Sequence, residues 1–180
     1  MAMTKLMTAA ELAQLPEDGF RYELLRGELV RMPPPGYRHG KRSLRIGGRF
    51  LDYADDFGGE VTSDAGFSLR ADPDTLLAPD IAYVRAERVP PEEDQDRYAQ
   101  LAPDVVVEIV SPSDRPGHIR DKVVEYREAG VLMTVIVDAF KRRVSVYRAD
   151  GASTELGEGD TFDGGDVMPG FRLPVTEFFR

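Results

Sequence analysis

Asp104-Val105-Val106-Val107-Glu108-Ile109-Val110 is the stretch on which the fold turns. Five of its seven residues are β-branched aliphatics, and so continuous an apolar run predicts a central strand buried on both faces. Glu108 interrupts it. A carboxylate inside such a strand carries a desolvation cost unless it is paired or coordinates a metal. It stands near the strand's C-terminal end, ahead of a loop and a helix, where open α/β sheets build their sites. From the run alone, a functional acid and a strand-end residue that is solvated or paired with Arg120 are evenly matched.

Downstream, Ser111-Pro112-Ser113-Asp114 punctuates the chain, and Ile119, Val123, Tyr126 and Ala129 recur at helical spacing with Gly130 as C-cap. Spacing alone makes Lys122 a solvated residue of that helix, near Glu125 and Tyr126; its sharper role would be to aim an ammonium at a phosphate or an attacking water. Leu132 to Val137 reads as a second buried strand and Arg143 to Tyr147 as its neighbour. Short strands and glycine turns follow, closed by a small helix near Val175 to Phe179.

Upstream, Thr8 and Glu11 form a capping box that opens a helix from Ala9 to Leu15. Tyr22 to Leu25 and Glu28 to Val30 read as a hairpin around Arg26-Gly27. From Tyr37 to Phe57 the spacing is helical, with Ile46, Phe50, Tyr53, Ala54 and Phe57 on one face. Arg38, Arg42, Arg45 and Arg49 form an adjoining stripe; with Lys41 they make five cations, and no acid falls between 38 and 51. Such a stripe is usually a solvated face, though it could follow a phosphate backbone. Gly47-Gly48 weakens the helix by about 1 kcal/mol per glycine. Glu60 to Leu69 reads as one strand, Asp72-Pro73-Asp74 as a turn, and Pro79 to Val84 as a strand headed by Asp80. Alone, Pro79-Asp80 is a strand-entry device. Beside Glu108, Asp80 becomes the second of two carboxylates on neighbouring strands, a pair able to hold one or two divalent cations. Arg85 to Gln100 is polar and reads as a surface excursion.

A length of 180 residues predicts one domain, 1–180. There is no cysteine, which excludes disulfides and thiolate metal sites. With His39 and His118 the only imidazoles, a carboxylate site for Mg²⁺ or Mn²⁺ is the expectation. His39 opens the basic helix, and His118 reads as a surface residue in the loop before the Lys122 helix. The net charge of −9 argues against a general nucleic-acid coat protein but not against a nuclease, where charge distribution matters more than the sum. The acidic start, Met1 to Gly19, lacks an apolar signal region, and no run approaches the roughly 18 apolar residues of a membrane span, so a cytoplasmic protein is expected. No phosphate-binding glycine loop occurs, and Ser111 lacks a nucleophile-elbow context.

Several segments share an order and spacing. They are Tyr22-Glu23-Leu24, Gly27-Glu28-Leu29-Val30, Met32-Pro33-Pro34-Pro35, His39 and Pro79-Asp80-Ile81-Ala82. Pro103 to Ser113, Lys122, Tyr126, Ala129-Gly130-Val131 and Val137-Asp138 continue the series. Together they resemble the Uma family of proposed restriction endonucleases, a branch of the PD-(D/E)XK nuclease superfamily. The resemblance implies an α/β (α+β) restriction-endonuclease-like core, a mixed β-sheet flanked by helices with an N-terminal β-hairpin. It implies Asp80 as the PD aspartate and Glu108 as the second acid, both on Mg²⁺ or Mn²⁺. The superfamily's lysine two residues after the acid is absent, because position 110 is Val; the resemblance gives that role to Lys122. Glu23 and His39 match positions beside the site. The activity implied is metal-dependent hydrolysis of DNA phosphodiesters, and a homodimer suits the cutting of both strands. The alternatives are a catalytically inactive nuclease-fold module that binds nucleic acid or protein, favoured by the acidic charge and the missing sheet lysine, and a structural protein that dimerises through a sheet edge.

Overall fold

The computed structural model describes residues 6–112 and 114–180; the first five residues of the acidic start and Ser113 of the punctuating segment lie outside it. The strand around Glu108 is β7 (Val105–Ile109), buried along its whole length. It occupies the middle of a six-stranded sheet with β6 (Ile81–Val84) on one side and β8 (Met133–Asp138) on the other. The β7–β8 pair is parallel, so the chain must cross over between them, and α3 (Pro116–Glu128) supplies that crossover. Every other pairing is antiparallel: β3 (Glu60–Thr62) on β6, β6 on β7, β9 (Arg143–Arg148) on β8 and β10 (Ser153–Leu156) on β9.

The two faces of β7 serve different partners because side chains alternate along a strand. Val105, Val107 and Ile109 join a core formed with Ile46, Phe50 and Tyr53 of α2 (Tyr37–Phe57). Phe162, Phe171 and Phe178, contributed by the C-terminal segment, complete this core. Their rings meet edge-on or tilted, as aromatic quadrupoles favour: Phe50 lies 4.9 Å from Phe171, Tyr53 5.7 Å from Tyr83 and Phe162 5.6 Å from Phe178. The short pair β11 (Thr161–Asp163) and β12 (Arg172–Pro174), with a closing 3₁₀ turn at Val175–Phe179, carries these rings to the sheet.

On the other face, Val106 packs with Tyr126 of α3, Val131 and Leu77. Leu77 belongs to a second, four-stranded sheet of β1 (Arg21–Leu25), β2 (Glu28–Met32), β4 (Phe67–Arg70) and β5 (Thr75–Leu77), in the order β2-β1-β5-β4. The hairpin β1–β2 turns at Arg26 and Gly27, both with positive φ, the backbone twist a two-residue hairpin requires. The short helix α1 (Ala9–Leu12) caps this sheet, its capping box closed by Thr8 and Glu11. No helix among the described residues is long and apolar enough to cross a membrane.

Three expectations need correction, and one strand is added. The α1 helix stops at Leu12 rather than Leu15. Glu60 to Leu69 is not one strand: positive φ at Asp64 turns the chain, so β3 joins one sheet and β4 the other. Phe57 does not share the buried face of α2. At the last turn it stacks on Tyr53 at 4.7 Å but stays 65% exposed, whereas Phe50 is fully buried. The added strand is Thr75–Leu77, which has no signature in the sequence because three residues are too few to show alternation, though all three are buried.

The contrast between the two phenylalanines of α2 is measurable. Phe50→Ala should cost about 3–5 kcal/mol of unfolding free energy in a urea titration, and Phe57→Ala under about 1 kcal/mol. Equal losses would mean that α2 packs differently.

Candidate active site

The register of β6 against β7 sets Ile81 opposite Val107. One step further, the antiparallel pairing brings Asp80, at the head of β6, across from Glu108 near the end of β7. Opposed residues of an antiparallel pair project from the same face. Both line a cleft of about 600 Å³, together with Glu23, His39, His118 and Lys122.

Glu108 is the most constrained member. Its Oε1 accepts from Lys122 Nζ at 2.8 Å and from the Tyr126 hydroxyl at 2.6 Å. Lys122 and Tyr126 stand four apart on α3 and therefore share a helix face. That face is turned to the sheet, so Lys122 is 4% exposed; the expectation that it is a solvated helix residue fails. Nor does it pair with Glu125, which is held by Arg26, Arg70 and Thr75, or Glu108 with Arg120. The second carboxylate on Lys122 is Glu23 of β1, whose Oε1 accepts from Nζ and from the Ala78 amide, both at 2.9 Å. The other Glu23 oxygen is buried without a partner.

Asp80 is held differently. Its Oδ2 accepts from the Ile109 amide at 2.7 Å and lies 3.2 Å from His39 Nε2, which also lies 3.0 Å from the Ile109 carbonyl. Both neighbours are acceptors, so His39 Nε2 must carry the proton. His39 Nδ1 is buried and unpartnered. Arg21 reaches Asp80 Oδ1 at 3.9 Å while pairing with Asp64.

Burial pushes the Glu108 carboxyl up to about 7, against the attraction of Lys122 and with the help of the Asp80 and Glu23 charges. Burial also opposes charge on Lys122, but Glu108 and Glu23 outweigh it and hold the ammonium protonated above its ordinary range. The hydrogen bond to Asp80 raises His39 against its own burial. Burial, reinforced by the Lys122 charge, lowers His118. The Tyr126 hydroxyl is pushed well above its ordinary value by burial and by Glu108, so it remains a donor.

Among the described residues, no group of three or more His, Asp or Glu side chains is placed to hold a metal ion. Two carboxylates are nevertheless a sufficient protein donor set for Mg²⁺, which keeps several waters. Glu108 Oε2 and Asp80 Oδ1 accept no hydrogen bond from the described residues, which leaves one oxygen of each acid for such a ligand. Glu23 adds a third carboxylate to the cleft: it shares Lys122 with Glu108, while Asp80 has His39 and, at 3.9 Å, Arg21.

Sequence reasoning missed three participants. His118 is not in a loop at the surface; it sits in the first turn of α3, half-buried in the cleft wall with Nε2 unpartnered. Arg21 carried no signal at all. The Tyr126 hydroxyl was legible only as Tyr four residues after Lys122. The arginine stripe divides: Arg38 and Arg42 line the cleft, while Arg45 and Arg49 line a separate groove, with Arg49 3.6 Å from both Asp52 and Glu177.

The Glu108 shift has a consequence for stability. A raised folded-state value, about 7 against 4.5, means the native state holds the proton more tightly than the unfolded chain. Stability of the metal-free protein should therefore fall as pH rises from about 4.5 to about 7 and level off above, by at most about 3 kcal/mol from this group. The difference in unfolding free energy between wild type and Glu108→Gln, measured in chelator across that window, should move against wild type. A flat difference would refute the raised value.

The chain matches the family model described as "Uma2: Putative restriction endonuclease" over residues 9–176. A crystal structure of a "putative nuclease belonging to DUF820" from Anabaena variabilis ATCC 29413 superposes with a TM-score of 0.85 at 19% sequence identity, covering 96% of this chain and 97% of that one. At that identity the likeness shows a shared fold. Comparison with curated proteins finds no match. A family match across nearly the whole described chain leads to one conclusion: the protein belongs to the Uma2 family.

Proposed function

We propose that this protein is a metal-dependent endonuclease that hydrolyses DNA phosphodiester bonds. The observation that carries the reading is the Glu108 carboxylate: buried at the end of a central strand, anchored through one oxygen by Lys122 and Tyr126, and across the strand pair from Asp80. Family membership and the fold shared with the Anabaena chain point the same way.

Asp80 and Glu108 would hold Mg²⁺ or Mn²⁺. When bound, the cation would acidify water and offset charge on the phosphate oxygens. His39 and the Ile109 amide fix Asp80 Oδ2, so that Oδ1 is the oxygen it presents. Tyr126 does the same for Glu108 by occupying Oε1. Lys122 stays cationic between Glu108 and Glu23 and would donate to a phosphate oxygen as negative charge develops there. In the reaction, a water oxygen bonds to phosphorus, the ester bond to the leaving oxygen breaks, and the water's proton ends on that leaving oxygen. Arg38 and Arg42 at the cleft would grip the backbone without reading bases. Arg45 and Arg49 would extend that contact only if the duplex continued along α2.

One observation favours a second reading, an inactive nuclease-fold module that binds nucleic acid or protein: Lys122 already occupies Glu108, and a third acidic or imidazole ligand is missing among the described residues.

Purified protein should cleave plasmid DNA in Mg²⁺ or Mn²⁺ and not in chelator. Glu108→Ala and Asp80→Ala should each lower the rate by about 10²-fold or more, as should Lys122→Met. Mn²⁺ titration should release or absorb heat with wild type and not with Asp80→Ala. Undiminished cleavage by Glu108→Ala would end the assignment of Asp80 and Glu108 as the site, and no cleavage by wild type in either metal would end the nuclease reading; DNA binding with no metal heat and no cleavage would establish the inactive module.

A further inference from the structure

Tyr37, Leu44 and Leu51 recur every seven residues on α2, and all three side chains stand in solvent: 89%, 79% and 49% exposed. A heptad drifts only about 20° around an α-helix, so the three form one stripe. It lies on the side of α2 away from Ile46, Phe50 and Tyr53, which are buried in the core. Gly40 and Gly48 border the stripe, and a β-carbon added at either would meet open space. The helix is about 31 Å long. Its first two-thirds hold Arg38, Lys41, Arg42, Arg45 and Arg49 with no acid; its last third holds Asp52, Asp55 and Asp56.

A long apolar stripe in water calls for a partner, and the charge polarity says which one. Arg38 and Arg42 line the cleft and Arg49 pairs with Asp52 and Glu177, so the flank beside the stripe carries Lys41 toward one end and Asp52 toward the other; such a flank is complementary to itself when turned end for end. We infer that the outward face of α2 is the contact between two copies of this chain, packed antiparallel about a two-fold axis beside Leu44 and Gly48. About that axis, Leu44 sits over Gly48 of the second copy, and Leu51 over its Gly40. Large side chains thus meet the gaps left by glycines. Lys41 falls beside Asp52 of the second copy, on the same flank. The opposed helix dipoles add to the match. An isologous contact of this kind closes on itself and stops at two chains.

Light scattering across a dilution series tests it. Wild type should be dimeric, and Leu44→Asp should raise the dimer dissociation constant at least tenfold, or about 1.4 kcal/mol, with the monomer's fold intact by circular dichroism. Lys41→Asp should weaken the dimer, and Lys41→Asp combined with Asp52→Lys should restore it. The chain has no cysteine, so an introduced one is unique. Leu44→Cys should link to its counterpart through a short bismaleimide, because the two positions lie about 6 Å apart along the axis. Tyr37→Cys should not, because its counterpart lies about 27 Å away. A wild-type monomer at every concentration, as a site for some other protein would give, overturns the proposal. So does a dimer indifferent to Leu44→Asp, a charge swap without rescue, or linkage through position 37.

Discussion

Glu108 and Lys122 are held together where neither could stay charged alone. A lysine 4% exposed and a glutamate 6% exposed must each find compensation or shed charge. The compensation comes from four elements: β7 gives Glu108, α3 gives Lys122 and Tyr126, β1 gives Glu23, and the segment before β6 gives the Ala78 amide. The pair therefore ties the crossover helix and the second sheet to the central strand. Removing Lys122 would leave Glu108 and Glu23 without their shared cation, a cost of about 3–5 kcal/mol in buried pairs. Burial above all pushes Glu108 up to about 7; the Asp80 and Glu23 charges add to it, and the single Lys122 ammonium opposes it without cancelling it.

This imbalance links folding to chemistry. A sheet built for stability alone would place an aliphatic residue at 108, and the run from Val105 to Val110 shows that the strand otherwise accepts nothing else. The acid is retained with one oxygen tied down and the other free. Asp80 follows the same division, with Oδ2 locked by a backbone amide and His39. Such half-satisfied carboxylates cost stability, a cost that a bound cation would offset.

Elements with strong local signals are legible in the amino-acid order. The β7 run, the α2 periodicity, the Thr8–Glu11 capping box and the Arg26-Gly27 turn each follow from chemistry within a few residues. What escaped depended on distant neighbours. The segment 60–69 reads as one strand, yet its two halves answer to different sheets. Phe57 has the period of a buried residue but lies past the end of the surface that α2 covers. His118 and Lys122 read as polar helix residues because spacing along a helix does not say which face the sheet will take.

The sequence by itself determined that a carboxylate interrupts a buried strand, that no thiolate could serve a metal, and that the family resemblance couples Asp80 to Glu108. Only the tertiary structure decided how the acids are held: that Lys122 is shared between Glu108 and Glu23, that Tyr126 fixes one oxygen, and that His39 bridges Asp80 and the Ile109 carbonyl. The physical reason is the range of the forces. Hydrophobic period and turn geometry act between residues close in the chain, whereas Lys122 meets Glu108 and Glu23 across 14 and 99 positions, and only folding brings such groups within hydrogen-bond reach and buries them.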